Sequence, residues 1–277
     1  MSSPAFKVPP PAVTIFTLEF PSPGVLLATI NREQRMNAVP MLGHQEGATI
    51  WNWLDNEPSM RVGVITGKGS KIFCAGADLL EQRDVNASGD GPRGIGEGGF
   101  AGLSQRRGKK PVIAAVNGLA LGGGFEICLN CDMVVASPKA MFALPEVLRG
   151  LYAGAGGLAR LVRNCGMQIG TELALTGRRI TAQEAQRLNL INRISDTHES
   201  VLNEALNLAQ QISNNSPDAI IVSREGVREA WESGSVEQAS RLTAERFSRP
   251  LMRSENIRIG LEAFAAKKQP QWVDSKL

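Results

Sequence analysis

Nothing in this chain approaches the ~20 consecutive apolar residues that a membrane-spanning helix needs, so no membrane span is expected. The opening residues, MSSPAFKVPPPAV, hold no apolar core of signal-peptide length, and secretion is not expected either. Cysteine is sparse. Cys74, Cys128, Cys131 and Cys165 are too few, and too apolar in setting, for a disulfide framework, which fits a reducing compartment. Histidine is limited to His44 and His198, so no metal site is expected. A strong charge bias is missing too. The 30 basic and 27 acidic residues leave +3, without the basic stripe of a nucleic-acid binder. The densest basic stretch, Gln105-Arg106-Arg107-Gly108-Lys109-Lys110, reads as a solvated loop, with an anion contact as the alternative.

Glycine, by contrast, is plentiful. Its 29 residues point to tight turns or to backbone lying close to a ligand. The 43% hydrophobic fraction is ordinary for a globular protein, and 277 residues suffice for a sizeable core. VLLATIN (25–31), RVGVITG (61–67), KPVIAAVNG (110–118) and CDMVVAS (131–137) are continuous apolar runs, as expected of strands buried on both faces. A helix is expected over 41–56, and strand–helix alternation indicates the α/β class. Residues 86–102 carry seven glycines and read as a long flexible loop. The second half is helical. ITAQEAQRLNL (180–190) opens with a Thr181–Glu184 capping box, and 198–214 puts Val201, Leu202, Ala205, Leu208 and Ile212 on one face. Further helices are expected near 217–232, 235–249 and 254–268. The expected division is an extended lead over 1–13, a core over 14–200 and a helical extension over 201–277. Ser275-Lys276-Leu277 matches a peroxisomal import address, which would make the import receptor a partner.

The stretch ALGGGFEICLNCD (120–132) concentrates the chemistry. Gly118, Gly122, Gly123 and Gly124 fit neither the dinucleotide fingerprint nor the phosphate loop, since lysine and a hydroxyl are missing where the latter needs them. Two uses remain: tight helix–strand packing, or an oxyanion hole built on the free N–H groups of a helix start. A hole needs a second donor, and the small-residue turn in KIFCAGADLLE (71–81) is the candidate. Glu126 either complements the helix dipole or acts as an acid–base group, and Glu146 in FALPEVLRG (142–150) has the same two readings. Cys128 and Cys131 read as small core residues.

These blocks, together with NREQRMNAV (31–39), FALPEVLRGLYAGAGGLARL and LTGRRITAQEAQRLNLINRI, resemble the crotonase superfamily, in particular enoyl-CoA hydratases, over about residues 14 to 270. The resemblance implies a ClpP-like β-β-α superhelix with a helical C-terminal trimerisation region, assembled as a homotrimer or homohexamer. It implies Glu126 and Glu146 as catalytic residues and the Ala77 and Gly123 N–H groups as the oxyanion hole. Ala75, Gly76, Asp78, Leu80, Gly122 and Lys267 would line the coenzyme A side. The activity implied is addition of water across the 2,3 double bond of a 2-enoyl-CoA, in peroxisomal fatty-acid or related acyl-CoA metabolism. No cofactor is implied, because coenzyme A belongs to the substrate. The alternatives are a 3,2-enoyl-CoA isomerase, another acyl-CoA enzyme of the family, or a non-catalytic binding protein on the same fold. Three features depart from the family pattern: Leu80 replaces a lysine, Tyr152-Ala153 replaces a Pro-Gly neighbourhood, and the 86–102 loop is unusually rich in glycine.

Overall fold

The structure is a computed structural model describing residues 6–87 and 94–277. It opens with a hairpin, β1 (Phe16–Ser22) and β2 (Val25–Ile30), followed by α1 (Met41–Asn56). Three passes of one pattern come next. The first is β3 (Val62–Gly67), β4 (Ile72–Cys74) and α2 (Leu79–Ala87). The second is β5 (Val112–Val116), β6 (Leu119–Leu121) and α3 (Gly123–Asn130). The third is β7 (Met133–Ala136), β8 (Met141–Ala143) and a 3-10 turn over Pro145–Arg149. The first strand of each pass joins one sheet and the second joins another. This gives a six-stranded sheet, β1-β2-β3-β5-β7 closed by β10 (Arg193–Ile194), and a four-stranded sheet, β4-β6-β8 closed by β9 (Ile180–Thr181). Within the passes the pairing is parallel throughout. The chain is thus the expected β-β-α superhelix of the α/β class.

Burial explains the strand sequences. Every residue of β2, β3 and β5 is buried, as their unbroken apolar runs require for strands covered on both sides. One face meets the main core, which includes Trp51, Leu54, Phe73, Phe125 and Phe142. The opposite face, carrying Val25, Val62, Val64 and Ile113, is covered by α7 (Val201–Ser213) through Val201, Ala205 and Ala209. In sequence, β8 and its 3-10 turn are followed by α4 (Gly157–Cys165), α5 (Met167–Thr176) and α6 (Ala182–Arg187) before α7, and α6 is capped by Thr181 Oγ1, which accepts from Glu184 N at 3.2 Å. The chain continues with α8 (Pro217–Glu232), α9 (Val236–Met252) and α10 (Glu255–Ala265). Among the described residues no helix is long and apolar enough to cross a membrane. Residues 6–13 have no regular structure and dock on the core. Val8 N donates to Glu57 Oε2 at 2.9 Å, Trp53 Nε1 donates to the Val8 carbonyl, and Phe6 packs on Phe20 and Trp53.

Two expectations need correction. The basic stretch 105–110 is solvated only in part, with Gln105, Arg107 and Lys109 exposed. Arg106 and Lys110 are buried, because Asp55 and the Glu57 carbonyl reach them from the end of α1: Arg106 Nη2 lies 2.6 Å from Asp55 Oδ1, and Lys110 Nζ donates to Glu57 O at 2.6 Å. The loop expected over 86–102 is also shorter. Residues 86–87 belong to α2, 88–93 lie outside the described residues, and 99–102 are packed rather than flexible, with Phe100, Ala101 and Gly102 buried.

A second buried charge cluster ties α8 to the core. Asp132, whose side chain is 14% exposed, accepts from Arg224 Nε at 2.9 Å and Arg228 Nη2 at 3.0 Å. Burial alone would raise its carboxyl, but the two guanidinium groups outweigh that and hold it below the usual carboxylate range. Removing the carboxylate charge leaves two cations without their counter-ion. Asp132→Asn is therefore expected to lower the unfolding free energy by about 3 kcal/mol or more, read from urea denaturation near neutral pH.

Candidate active site

Three strand ends meet at one place. β4, β6 and β8 are parallel neighbours, so their C-terminal ends lie side by side. The turn after β4 carries Ala75 to Asp78, the turn after β6 carries Gly122 to Glu126, and the turn after β8 carries Glu146. Gly122 N continues the ladder by donating to the Ala143 carbonyl at 2.9 Å. The first two turns touch: a Cβ placed on Gly76 would lie 3.1 Å from the Leu121 carbonyl oxygen and 3.5 Å from Gly123 N. Gly76 (φ 94°) and Gly122 (φ 54°) both take left-handed backbone, which glycine adopts without a side-chain penalty.

The turn after β4 is oriented by a single bridge. Val39 pairs in parallel with Ala77, its N–H donating to Gly76 O at 2.9 Å and its carbonyl accepting from Asp78 N at 3.1 Å. Both bonds use the residues beside Ala77, so the N–H of Ala77 points to the other side of the segment. Among the described residues neither Ala77 N–H nor Gly123 N–H has an acceptor. Gly123 is the first residue of α3, where a helix leaves its N–H groups unpaired and partially positive. Two free donors on touching turns are what a developing oxyanion needs.

The acids border the same turn. Glu126 is 4% exposed, and its Oε1 accepts from Gly157 N at 2.9 Å. A Cβ on Gly157 would sit 2.8 Å from Glu126 Cγ, so only glycine fits there. Burial pushes Glu126 up to about 7; the Gly157 N–H works against this and the Glu146 charge adds to it. Glu146 is half-buried, and its Oε1 would lie 3.0 Å from a Cβ on Gly122. Its Oε2 is buried with no hydrogen-bond partner among the described residues, and burial raises this carboxyl as well. Such an orphaned oxygen calls for an explanation, and a catalytic role is one. Beside Glu146 opens a mainly apolar cavity of about 250 Å³, bounded by Val147, Tyr152, Ala153, Leu158 and Val162 among others. A group that holds a proton near neutral pH, beside a second acid and two free N–H donors, can pass protons while an oxyanion is stabilised.

The remaining candidates divide. Ala75 and Gly76 lie in the first turn itself. Asp78 is mainly structural: its carboxylate meets Arg32 Nη1 at 3.0 Å, and Oδ1 accepts from Glu81 N at 3.4 Å in the first turn of α2. Burial alone would raise Asp78, but Arg32 and the Glu81 N–H hold it below its ordinary value. Leu80 is exposed on α2. Lys267 follows α10, exposed and with φ 52°, and among the described residues its one hydrogen bond is local, from its N–H to the Phe264 carbonyl. The two cysteines after α3 begins are packing groups: Cys128 is buried and Cys131 packs on the main core. Among the described residues no three His, Cys, Asp or Glu side chains cluster to hold a metal ion. The sequence reading missed Gly157, whose N–H reaches Glu126 across 31 residues. Its only sequence signal is the second glycine pair, Gly156-Gly157, opening α4.

Comparison with known proteins agrees with this geometry. The profile of the enoyl-CoA hydratase/isomerase family matches residues 21–275. A mevalonyl-coenzyme A hydratase of Aspergillus fumigatus is 46% identical over 267 residues, covering 96% of this chain and 98% of the relative. A carnitinyl-CoA dehydratase of Proteus mirabilis is 37% identical over 92% of this chain and 98% of its own length. The crystal structure of an enoyl-CoA hydratase from Mycobacterium tuberculosis superposes with a TM-score of 0.84 at 33% identity, covering 94% of this chain and 99% of that one. The chain belongs to the enoyl-CoA hydratase/isomerase family, within the crotonase superfamily, and is a hydro-lyase.

The raised acid carries a stability signature. Folded Glu126 keeps its proton up to about pH 7, whereas the ordinary value is 4.5. Between these values the unfolded chain releases a proton that the folded chain retains. The contribution is therefore complete below about pH 4.5 and is lost as pH rises through about 7. Glu126→Gln removes the titration and keeps an acceptor for Gly157 N–H. Urea unfolding should show the variant gaining about 3 kcal/mol on wild type between pH 5 and pH 8.

Proposed function

We propose that this hydro-lyase adds water reversibly across the 2,3 double bond of a branched 2-enoyl-CoA, with a mevalonyl-type thioester as the hydrated partner. One observation carries the reaction type: Glu126 and Glu146 both border the turn that carries the free Gly123 N–H, and that turn touches the one that carries the free Ala77 N–H. The 46% identity to a mevalonyl-coenzyme A hydratase along nearly the whole chain supports the substrate class. Coenzyme A enters as part of the substrate.

The steps follow from the charges. The thioester carbonyl accepts hydrogen bonds from Ala77 N–H and Gly123 N–H, which draws electron density from the β carbon. The oxygen of a water held between the acids bonds to that carbon, and the π electrons move through the α carbon to the carbonyl oxygen. The enolate charge then rests against the two donors and the start of α3. Glu126, with a pKa of about 7, handles the water proton, and Glu146 delivers a proton to the α carbon. The product is the 3-hydroxyacyl thioester. Dehydration runs the same path backwards.

The assembly and the location belong to this reading as well. Val227, Val236, Leu261 and Phe264 on α8 to α10 are between 65% and 86% exposed, which supports a homotrimer or homohexamer built on these helices. In such an assembly Lys267 would reach a coenzyme A phosphate on a neighbouring subunit. Ser275-Lys276-Leu277 supports a peroxisomal address where it forms a free C-terminus. In the folded chain Ser275 Oγ contacts Asp218, and Lys109 Nζ donates to Leu277 O at 3.1 Å.

The test is an activity profile of the purified chain on mevalonyl-CoA, crotonyl-CoA, carnitinyl-CoA and a 3-enoyl-CoA. Growth of enoyl-thioester absorbance from mevalonyl-CoA, at a higher kcat/KM than for the straight-chain and carnitinyl thioesters, is expected. Migration of the 3-enoyl double bond without hydration would instead identify an isomerase. Glu126→Gln and Glu146→Gln should each lower kcat at least about a hundred-fold, with KM changed far less.

A further inference from the structure

Gly123 supplies a donor that must be aimed closely, yet it has no side chain to lock it. The structure supplies the lock from outside the helix. The ring of Phe100, 4% exposed, lies on Gly123 where any Cβ would collide with it. Phe100 is positioned by its neighbour. Ala101 has φ 52° and ψ 28°, a left-handed conformation that is unfavourable for alanine and needs external support.

That support comes from one face of α1. Ala101 N–H donates to His44 Nδ1 at 3.1 Å, and Trp51 Nε1 donates to the Ala101 carbonyl at 3.1 Å. Gly47 lies between them, and a Cβ there would run into the same carbonyl. The His44 ring also meets the Phe100 ring, with centroids 4.8 Å apart at 63°. Burial lowers His44 to about 4, so the ring is neutral near pH 7 and Nδ1 is free to accept. The turn braces the acid side too. Ser104 Oγ accepts from Phe100 N at 2.8 Å and donates to the Ala155 carbonyl at 2.9 Å, two residues before the Gly157 that holds Glu126. None of these side chains has a part in the proton transfers above.

We propose that His44 and Phe100 are positioning residues for the oxyanion hole: His44 fixes Ala101, Ala101 fixes the Phe100 ring, and the ring sets the angle at which Gly123 N–H meets the thioester oxygen. This rests on the hydratase reading. Donors of this kind lose much of their effect when displaced by a fraction of an ångström, whereas the coenzyme A portion of a substrate would bind as before.

The test uses the full chain with 2,4-hexadienoyl-CoA, a conjugated thioester whose absorbance moves to the red when its carbonyl is polarised, and dehydration of mevalonyl-CoA for turnover. Phe100→Leu and His44→Leu should lower kcat about ten- to a hundred-fold, leave KM within about two-fold and shrink the red shift. His44→Asn, whose Oδ1 can replace Nδ1 as acceptor, should recover most of both signals. Circular dichroism establishes that each variant is folded, and if Phe100→Leu is not, the two His44 variants decide. A full red shift with wild-type kcat in folded Phe100→Leu or His44→Leu overturns the proposal alone, as does an equal loss in His44→Asn and His44→Leu. A wild-type chain that neither shifts the dienoyl absorbance nor dehydrates mevalonyl-CoA overturns the hydratase reading with it.

Discussion

The site depends on the parallel register of three strands that are each only three residues long. Ile72 is level with Leu119, Leu119 with Met141, and Leu121 with Ala143, so β4, β6 and β8 end together. Strands this short do not hold themselves in register. They are held because β3, β5 and β7 pair in the larger sheet and hand the chain across within a few residues. Two buried asparagines close the corners. Asn117 Nδ2 donates to the Gly67 and Gly69 carbonyls at 2.9 and 2.7 Å, and Asn37 Nδ2 donates to Lys68 O at 3.0 Å and Ile72 O at 2.8 Å. The direction of two N–H groups at the site is thus set by hydrogen bonds on the far side of the small sheet.

The treatment of buried acids separates structure from chemistry. Asp132 is given two guanidinium groups and stays ionised. Asp78 is given one, from Arg32. Glu126 receives backbone N–H groups, Gly157 first and Ala155 more weakly, and the cation that acts on it, Arg160, is the weakest of its influences. Among the described residues one oxygen of Glu146 has no partner. Pairing either glutamate with an arginine would stabilise the fold and would also fix the carboxylate as an anion, unable to return a proton near neutral pH. Among the described residues neither acid has a strong counter-ion, which costs stability and suits the proton exchange proposed for them.

Much of this arrangement is legible in the sequence, for physical reasons that can be named. The long apolar runs of β2, β3, β5 and β7 declare strands covered on both sides, and the amphipathic pattern of α7 declares a helix with one face on the core. The Gly122–Glu126 stretch can be read because few backbones other than glycine allow so close an approach next to a helix start. The rest depends on partners distant in sequence. Arg106 and Lys110 look solvated until Asp55 and Glu57 arrive from the end of α1, about 50 residues away. β6, β8, β9 and β10 span two or three residues and carry too little pattern to stand out. α4 and α5 leave a mixed sequence, because several of their apolar side chains, Leu158, Met167 and Leu175, are exposed in the single chain. Nothing around His44 advertises a buried acceptor for an amide 57 residues on.

A hole made of main-chain donors has a consequence for how such a site can vary. A side-chain substitution cannot delete the N–H of Ala77 or Gly123 unless it introduces proline; it can only move them. The sensitive positions are therefore those that set backbone angles: Gly76, Gly122, the Val39 bridge and the turn at 100–102. Substrate choice has to be written elsewhere, on surfaces free to change without disturbing these angles. The cavity beside Glu146 is such a surface. Its lining comes from Leu144, the 3-10 turn, the segment after it, α4 and α5. Tyr152, the single tyrosine of the chain, stands there 72% exposed, with its ring within 3.0 Å of where a Gly154 Cβ would be. The oxyanion stabilisation and the substrate selectivity proposed for this site thus rest on different atoms, main-chain N–H groups for the first and side chains for the second.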